Sequence, residues 1–298
     1  MPFSELAALG AALSWALTGI VSTQPARAFG AMGFVRVRMA LVFVVLAIGA
    51  WAIGGWSSIE RTMLTPIVLS GAVGIFVGDT LLFATMNRLG PRATGLLFAM
   101  NAPMAAVLGW IALGEALSPL AVVGIAIAVA GVLLAVGYGR PRVRGEEHWL
   151  ETVRGPLWIG VALGLGAALA QAVGTLLARP VMAAGADPVA VSAMRCAIAA
   201  IALQSLAFAY PAARLQTAPT VRLLGQTALS GVLAMGIGMT LLLFALESGK
   251  VGIVATLSAM TPVMILPLLW RTTGRAPSGP AWLGAGLAVV GSALIFAR

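Results

Sequence analysis

Four charged side chains, Asp79, Arg36, Arg38 and Arg195, stand inside stretches that are otherwise apolar. Asp79 lies about 10 Å from the inner end of its stretch at roughly 1.5 Å per helical residue. An ionised acid at mid-bilayer costs about 2.5–3.5 kcal/mol, so it must be paired, protonated or facing water. Arg36 and Arg38 enter the preceding stretch from the same side, at about 4–8 Å depth by the same rise. Asp79 therefore has two readings. It is a structural partner of Arg36 or Arg38, or it faces a cavity and holds an ammonium group or a proton. Arg195 has no carboxylate beside it in its own stretch, since Asp187 and Glu247 lie near the end. It either snorkels to the interface or presents a fixed cation to a carboxylate on a bound molecule. If both charges serve binding, the molecule has an amine end and a carboxyl end.

Neutral polar groups accompany them: Ser14, Trp15, Thr18, Thr80, Thr85, Asn87, Asn101, Gln171, Thr175, Thr256, Ser258 and Thr261. Singly, each suits a bond to a neighbouring backbone; as a set they suit a small neutral or zwitterionic solute. Trp15 offers an aromatic face to a cation or a ring, or packs as filler. Substrate contact is expected at Trp15, Thr18, Asp79, Thr80, Asn101, Gln171, Thr175, Arg195, Thr256 and Ser258. Pro103, Pro262 and Pro267 each free a carbonyl and bend a helix, which marks them as hinge candidates. Gly74-x-x-x-Gly78 and Gly160-x-x-x-Gly164 permit close helix approach.

Elements that position such residues must span a membrane. Hydrophobic residues make up 60% of the 298, charged residues 9%, and mean hydropathy is +1.03. A soluble chain carries about 25% charged residues. Spans are expected near 3–22, 33–54, 64–86, 93–113, 119–137, 157–178, 188–210, 222–246, 251–270 and 281–297. Gln24-Pro25, Gly54-Gly55, Gly90-Pro91, Ser118-Pro119, Pro211 and Pro280 mark breaks. The first run is expected to be a retained span rather than a leader. Ala26-Arg27-Ala28 looks like a cleavage site, but no positive charge precedes the apolar run.

The polar stretch 138–156 divides the chain near its midpoint, and similarity resumes beyond it. Gly10-Ala11-Ala12-Leu13 matches Gly166-Ala167-Ala168-Leu169, and Arg36 matches Arg195. Ser70-Gly71 matches Ser230-Gly231, and Gly78-Asp79-Thr80 matches Gly238-Met239-Thr240. Ala99-Met100 matches Ala259-Met260, and Gly124 with Gly131 matches Gly284 with Gly291. The steady offset indicates duplication, with 1–137 and 157–298 as two five-helix copies joined by 138–156. Five is odd, so the copies enter the membrane from opposite sides and a shared site falls where they meet. The fold class expected is an all-α polytopic membrane protein, its ten transmembrane helices forming two inverted-topology repeats.

Net charge is +9, but the arginines gather at span ends, with no aromatic-interleaved basic stripe for nucleic acid. The joins after the odd-numbered spans hold most of them, so those joins are expected to be cytoplasmic and both termini outside. Cys196 reads as a packing residue.

These features resemble the drug/metabolite transporter superfamily, EamA type. The likeness rests on the two five-helix copies, Arg36 and Arg195 early in the second helix of each, and Gly78-Asp79-Thr80 with Gly238-Met239-Thr240. Pro103 and Pro262, and Glu115 after the fourth helix, add to it; Gly274-Arg275 departs from the acidic position in the second copy. The resemblance implies exporters and exchangers of small metabolites, with helices 1–4 and 6–9 around a cavity and helices 5 and 10 outside.

Enzymatic chemistry has little to stand on: His148, the sole histidine, lies in the linker, and no Gly-x-x-x-x-Gly-Lys loop exists. No cofactor or metal is expected. The partners expected are a small-molecule substrate and the lipid bilayer of a bacterial inner membrane. The function expected is secondary export of small metabolites, amino acids first and aromatic or hydrophobic ones among them, with organic-cation or drug export as the alternative.

Overall fold

The computed structural model describes residues 3–114, 116–138, 150, 153–239, 241–242, 245 and 257–297. Within them the chain is helical. A backbone in lipid must satisfy its own hydrogen bonds, and helices do this within one segment. The helices are α1 (Phe3–Phe29), α2 (Ala31–Ala52), α3 (Leu64–Ser70), α4 (Gly78–Phe98), α5 (Asn101–Leu113) and α6 (Pro119–Tyr138). In the second half come α7 (Leu157–Ala183), α8 (Pro188–Ala209), α9 (Val221–Gly231), α10 (Thr261–Thr273) and α11 (Gly279–Phe296). Among the described residues eight stretches are long and apolar enough to cross a membrane: α1, α2, 61–98, α6, α7, α8, 221–239 and α11. The protein is a multi-pass membrane protein.

The expected fourth and ninth spans are not single long helices. Gly90 turns the chain at φ 77°, where a left-handed backbone favours glycine, and Pro91 opens the next helical piece. That piece ends at Ala99-Met100, and α5 completes the span. In the second half Ala259-Met260 interrupts the helix at the corresponding place, and α10 continues it. The break therefore precedes Pro103 and Pro262 rather than falling on them. Each proline sits in the first turn after the break, where a missing N–H costs least. Thr240, Glu115, Glu247, Lys250 and His148 fall outside the described residues.

The first helix also departs from expectation. It runs through Pro25 and ends at Gly30, φ 74°, placing Ala26-Arg27-Ala28 inside the helix. Gln216 N donates to the Phe29 carbonyl and Thr217 Oγ1 to that of Ala28, supplying partners beyond the last turn.

Two wide-turn π-helical segments extend α3 and α9: Gly71–Val77 and Val232–Met239. Backbone carbonyls in such turns accept bonds from other helices. Ser14 Oγ donates to Leu233 O at 2.6 Å and Trp15 Nε1 to Ala234 O at 3.1 Å. In the other half Ser70 Oγ, just before the π segment, donates to Gly174 O on α7 at 2.6 Å.

Glycines set the tightest crossings. A Cβ on Gly124 would lie 2.6 Å from Gly291 O, and one on Gly131 2.6 Å from Gly284 O. Thus α6 and α11, equivalent in the two halves, touch backbone to backbone. Small residues bring helices together where water supplies no hydrophobic drive. A Cβ on Gly74 would lie 3.1 Å from Gly174 Cα, joining the first π segment to α7. Gly160 and Gly164 admit Leu89 and Leu97 of α4. Around α2 and α8, Phe34, Met39, Val42, Cys196, Ala199 and Leu203 share one buried cluster.

Candidate functional site

The π segment delivers Asp79 to the first turn of α4, facing α2. Arg38 Nη1 lies 3.1 Å from Asp79 Oδ2, with the arginine side chain 5% exposed and the aspartate 15%. The Arg38 guanidinium carbon stands 5.3 Å from the Phe83 ring centroid, and Phe34 meets Phe83 edge-on at 4.5 Å. Charge, hydrogen bond and ring face together settle a buried cation that would otherwise be expensive. The residue that takes Asp79 is Arg38; Arg36, two residues earlier, is partly buried and makes no hydrogen bond or ion pair among the described residues. Two residues along a helix rotate a side chain by about 200°, so the two arginines point to different faces.

Arg195 comes to the same region from α8. Its backbone packs on Gly71, where a Cβ would lie 3.1 Å from Arg195 Cα. Its Nη2 packs on Gly74, 2.9 Å from such an atom. Only glycines leave room for this side chain against the π segment. Asp79 lies within Coulombic range of Arg195. Yet Arg195 Nε is buried without a partner, and its guanidinium makes no hydrogen bond among the described residues. Among the described residues the region thus holds two guanidinium groups against one carboxylate, and the carboxylate is committed to Arg38.

The neutral residues divide. Trp15 has spent its indole N–H on Ala234 O, and the second π segment presses against it: a Cβ on Gly238 would lie 2.6 Å from Nε1. Thr18 is buried and donates to Ser14 O at 2.9 Å. Thr80 Oγ1, beside Asp79, is buried with no partner. Asn101 Nδ2 donates to Phe98 O at 2.7 Å, and its counterpart Thr261 donates from Oγ1 to Ser258 O at 3.3 Å. Both repair the break in their span, each as the first residue after it. Gln171 is partly buried, and Thr175, one turn on, is exposed and donates to Gln171 O at 2.9 Å. Ser258 is partly buried, and Thr256 lies outside the described residues. Pro103 and Pro262 are buried, whereas Pro267 is exposed on α10.

Three features of the site escape the residue pattern. The π segments carry no sequence signal beyond clustered glycines such as Gly71, Gly74 and Gly78, which suggest packing alone. Gln226 Nε2 donates to Gln24 Oε1 at 3.0 Å, bridging α9 and α1. Asn87 Nδ2 donates to Ala26 O at 2.8 Å, tying α4 to α1. Each of these bonds joins residues too far apart in sequence for spacing to pair them.

These residues sit in a helical membrane bundle of two similar halves whose fourth and ninth spans break at matching places. The sequence profile of the EamA-like transporter family matches residues 2–137 and again 158–297. The chain belongs to that family. None of the curated proteins compared matches it significantly. Among solved structures 23 chains match. One crystal structure superposes with a TM-score of 0.68 over 98% of this chain and 95% of that one, at 20% identity, a likeness of fold.

Proposed function

We propose that the protein is a secondary transporter that exports small metabolites, amino acids first and aromatic or hydrophobic ones among them. Its two halves, 1–137 and 157–298, alternate access to a site between them. The setting is a bacterial inner membrane, with the arginine-rich joins in the cytoplasm and the termini outside. No enzymatic role is proposed.

The observation that carries this reading is Arg195, a guanidinium without a hydrogen bond beside a carboxylate already held by Arg38. An added carboxylate would complete its hydrogen bonds and neutralise the surplus charge. That supports an anionic end on the substrate. It weighs against an organic cation, because Asp79, the acid such a cation would need, is engaged. Thr80 and Gln171 supply neutral groups for the remainder of the solute.

The test is counterflow of a labelled aromatic amino acid in proteoliposomes, with and without Arg195→Ala. Uptake lost in the variant, with thermal stability kept, supports the reading. Counterflow of a labelled organic cation that Asp79→Asn abolishes and Arg195→Ala spares moves the protein to drug export.

A further inference from the structure

Leu150 is 4% exposed, although it belongs to the polar stretch between the halves. It is buried in one cluster with Ala16 of α1 and Ile265 and Leu269 of α10, with Ile20 and Leu268 packed around them. Beyond it the chain is pinned to α4. Arg154 N donates to Arg88 O at 2.7 Å, and Gly155, at φ 75°, turns tightly beside the Arg88 guanidinium. Val153 and Leu157 then pack on the cluster of Leu89, Ala93 and Leu266. Leu150 and residues 153–157 therefore lie at the arginine-rich end, the first on the α1–α10 seam and the others at the corner after the third span.

The seam beneath Leu150 is closed. Thr261 Oγ1 donates to Ala12 O, and a Cβ on Gly19 would lie 3.3 Å from Ile265 Cδ1 and 3.8 Å from Pro91 Cβ. The counterpart of Gly19 in the second half, at the repeat offset of 156 set by Gly10 and Gly166, is Thr175, which is exposed. Gly19 is thus packed against α10 and α4, whereas its counterpart is exposed. A leucine withdrawn from water on top of the shut seam adds free energy to that state alone, because opening would return it to solvent.

We propose that residues 153–157 and Leu150 form a strap, with Leu150 as a wedge that latches the α1–α10 seam at the arginine-rich end and must lift before that end opens. The strap is part of the chain, so it sets the balance between the carrier's two states whatever the substrate. This rests on the transporter reading for its purpose, but its test needs no substrate.

Cys196 is replaced by serine and Gly19 by cysteine, and the protein is placed in lipid nanodiscs, where both faces meet the solvent. The rate of labelling by a membrane-impermeant maleimide reports opening of the seam. Labelling is expected to be slow with Leu150 in place, about tenfold faster with Leu150→Ser, and slow again with Leu150→Met, which keeps an apolar wedge. Equal rates for Leu150 and Leu150→Ser would overturn the latch, as would a Leu150→Met rate matching that of Leu150→Ser. Should the serine variant not fold, the pair Leu150→Cys and Leu269→Cys in the Cys196→Ser background decides. A disulfide under mild oxidant is expected, and its failure to form removes the wedge from the seam. A failure of amino-acid counterflow would sink the substrate reading and leave this outcome as it stands.

Discussion

The two halves share their backbone devices and differ in their charge. Each has a π segment in its third span, a break in its fourth and glycines in its fifth that meet their counterparts. In the first half Arg38 and Asp79 neutralise each other, and Arg36, the counterpart of Arg195, stands apart from them; in the second, Met239 stands where the aspartate would be, Ala197 where Arg38 would be, and Arg195 is left with its Nε buried and unpartnered. Duplication has kept what makes the helices cross and let diverge what a solute would meet. Matched features hold the bundle together, and the mismatch is where binding is to be sought.

Asp79→Met gives the first half the residue of the second. It leaves Arg38 and Arg195 facing each other with no acid between them. Removing one partner of a buried pair costs about 3–5 kcal/mol, read as a fall in thermal midpoint in detergent. Arg38→Met should cost less, because Arg195 stays within Coulombic range of Asp79. The double variant Arg38→Met with Asp79→Met should recover only part of the loss, because it removes the buried pair but leaves Arg195 without the acid in its range. Equal losses for the two single variants would mean that Arg195 plays no part in the cluster.

The second-half charge should matter to transport more than to stability. Arg195→Ala is expected to slow counterflow by about a hundredfold, the worth of a charge-assisted pair, and to leave the midpoint close to its starting value. Arg195→Lys keeps the charge and loses the two-pronged geometry, so it should fall between. A large drop in midpoint with Arg195→Ala would make the residue structural and erase the contrast.

The shared features should respond alike. Gly131→Val and Gly284→Val add side chains at the same crossing of α6 and α11 from opposite helices, so each should destabilise by about 1–3 kcal/mol. Because Gly131 and Gly284 face each other, the two losses should be similar and should not add in the double variant, where the helices have already parted.

How much of this the chain discloses depends on range. Hydropathy and the breaks at Gly54, Gly90 and Ser118 report local chemistry, and local chemistry places the helices. The repeat reports itself through paired glycines and the Ala-Met pair before each proline. Arg36 and Arg38 enter the bilayer at similar depths, and only the rotation of α2 in its packing decides which meets Asp79. The π turns are invisible because an i to i+5 bond leaves the residue pattern unchanged. Leu150 looks like part of a polar linker because its partners lie more than a hundred residues away on both sides. Prolines mark the broken spans, but the break falls on Ala99-Met100 because a proline disturbs the turn before it.

The smallest expected effect separates two uses of one residue. Trp15 bonds the second π segment through its indole N–H and keeps a ring that is only partly buried. Trp15→Phe removes the bond and keeps most of the ring, leaving Ala234 O without its donor. If the tryptophan serves to hold α1 on the π segment, the variant should lose about 1 kcal/mol of stability, and counterflow per folded molecule should stay near its starting rate. If its ring contacts the solute, Trp15→Leu should slow counterflow well beyond Trp15→Phe at equal stability. Among the described residues no tryptophan donates to the first π segment; there Ser70, just before it, donates to Gly174 O of α7. Ser70→Ala should therefore match the stability loss of Trp15→Phe and leave aromatic selectivity unchanged. Any selectivity change confined to Trp15 variants then belongs to the ring, and the hydrogen bond belongs to the architecture that the halves share.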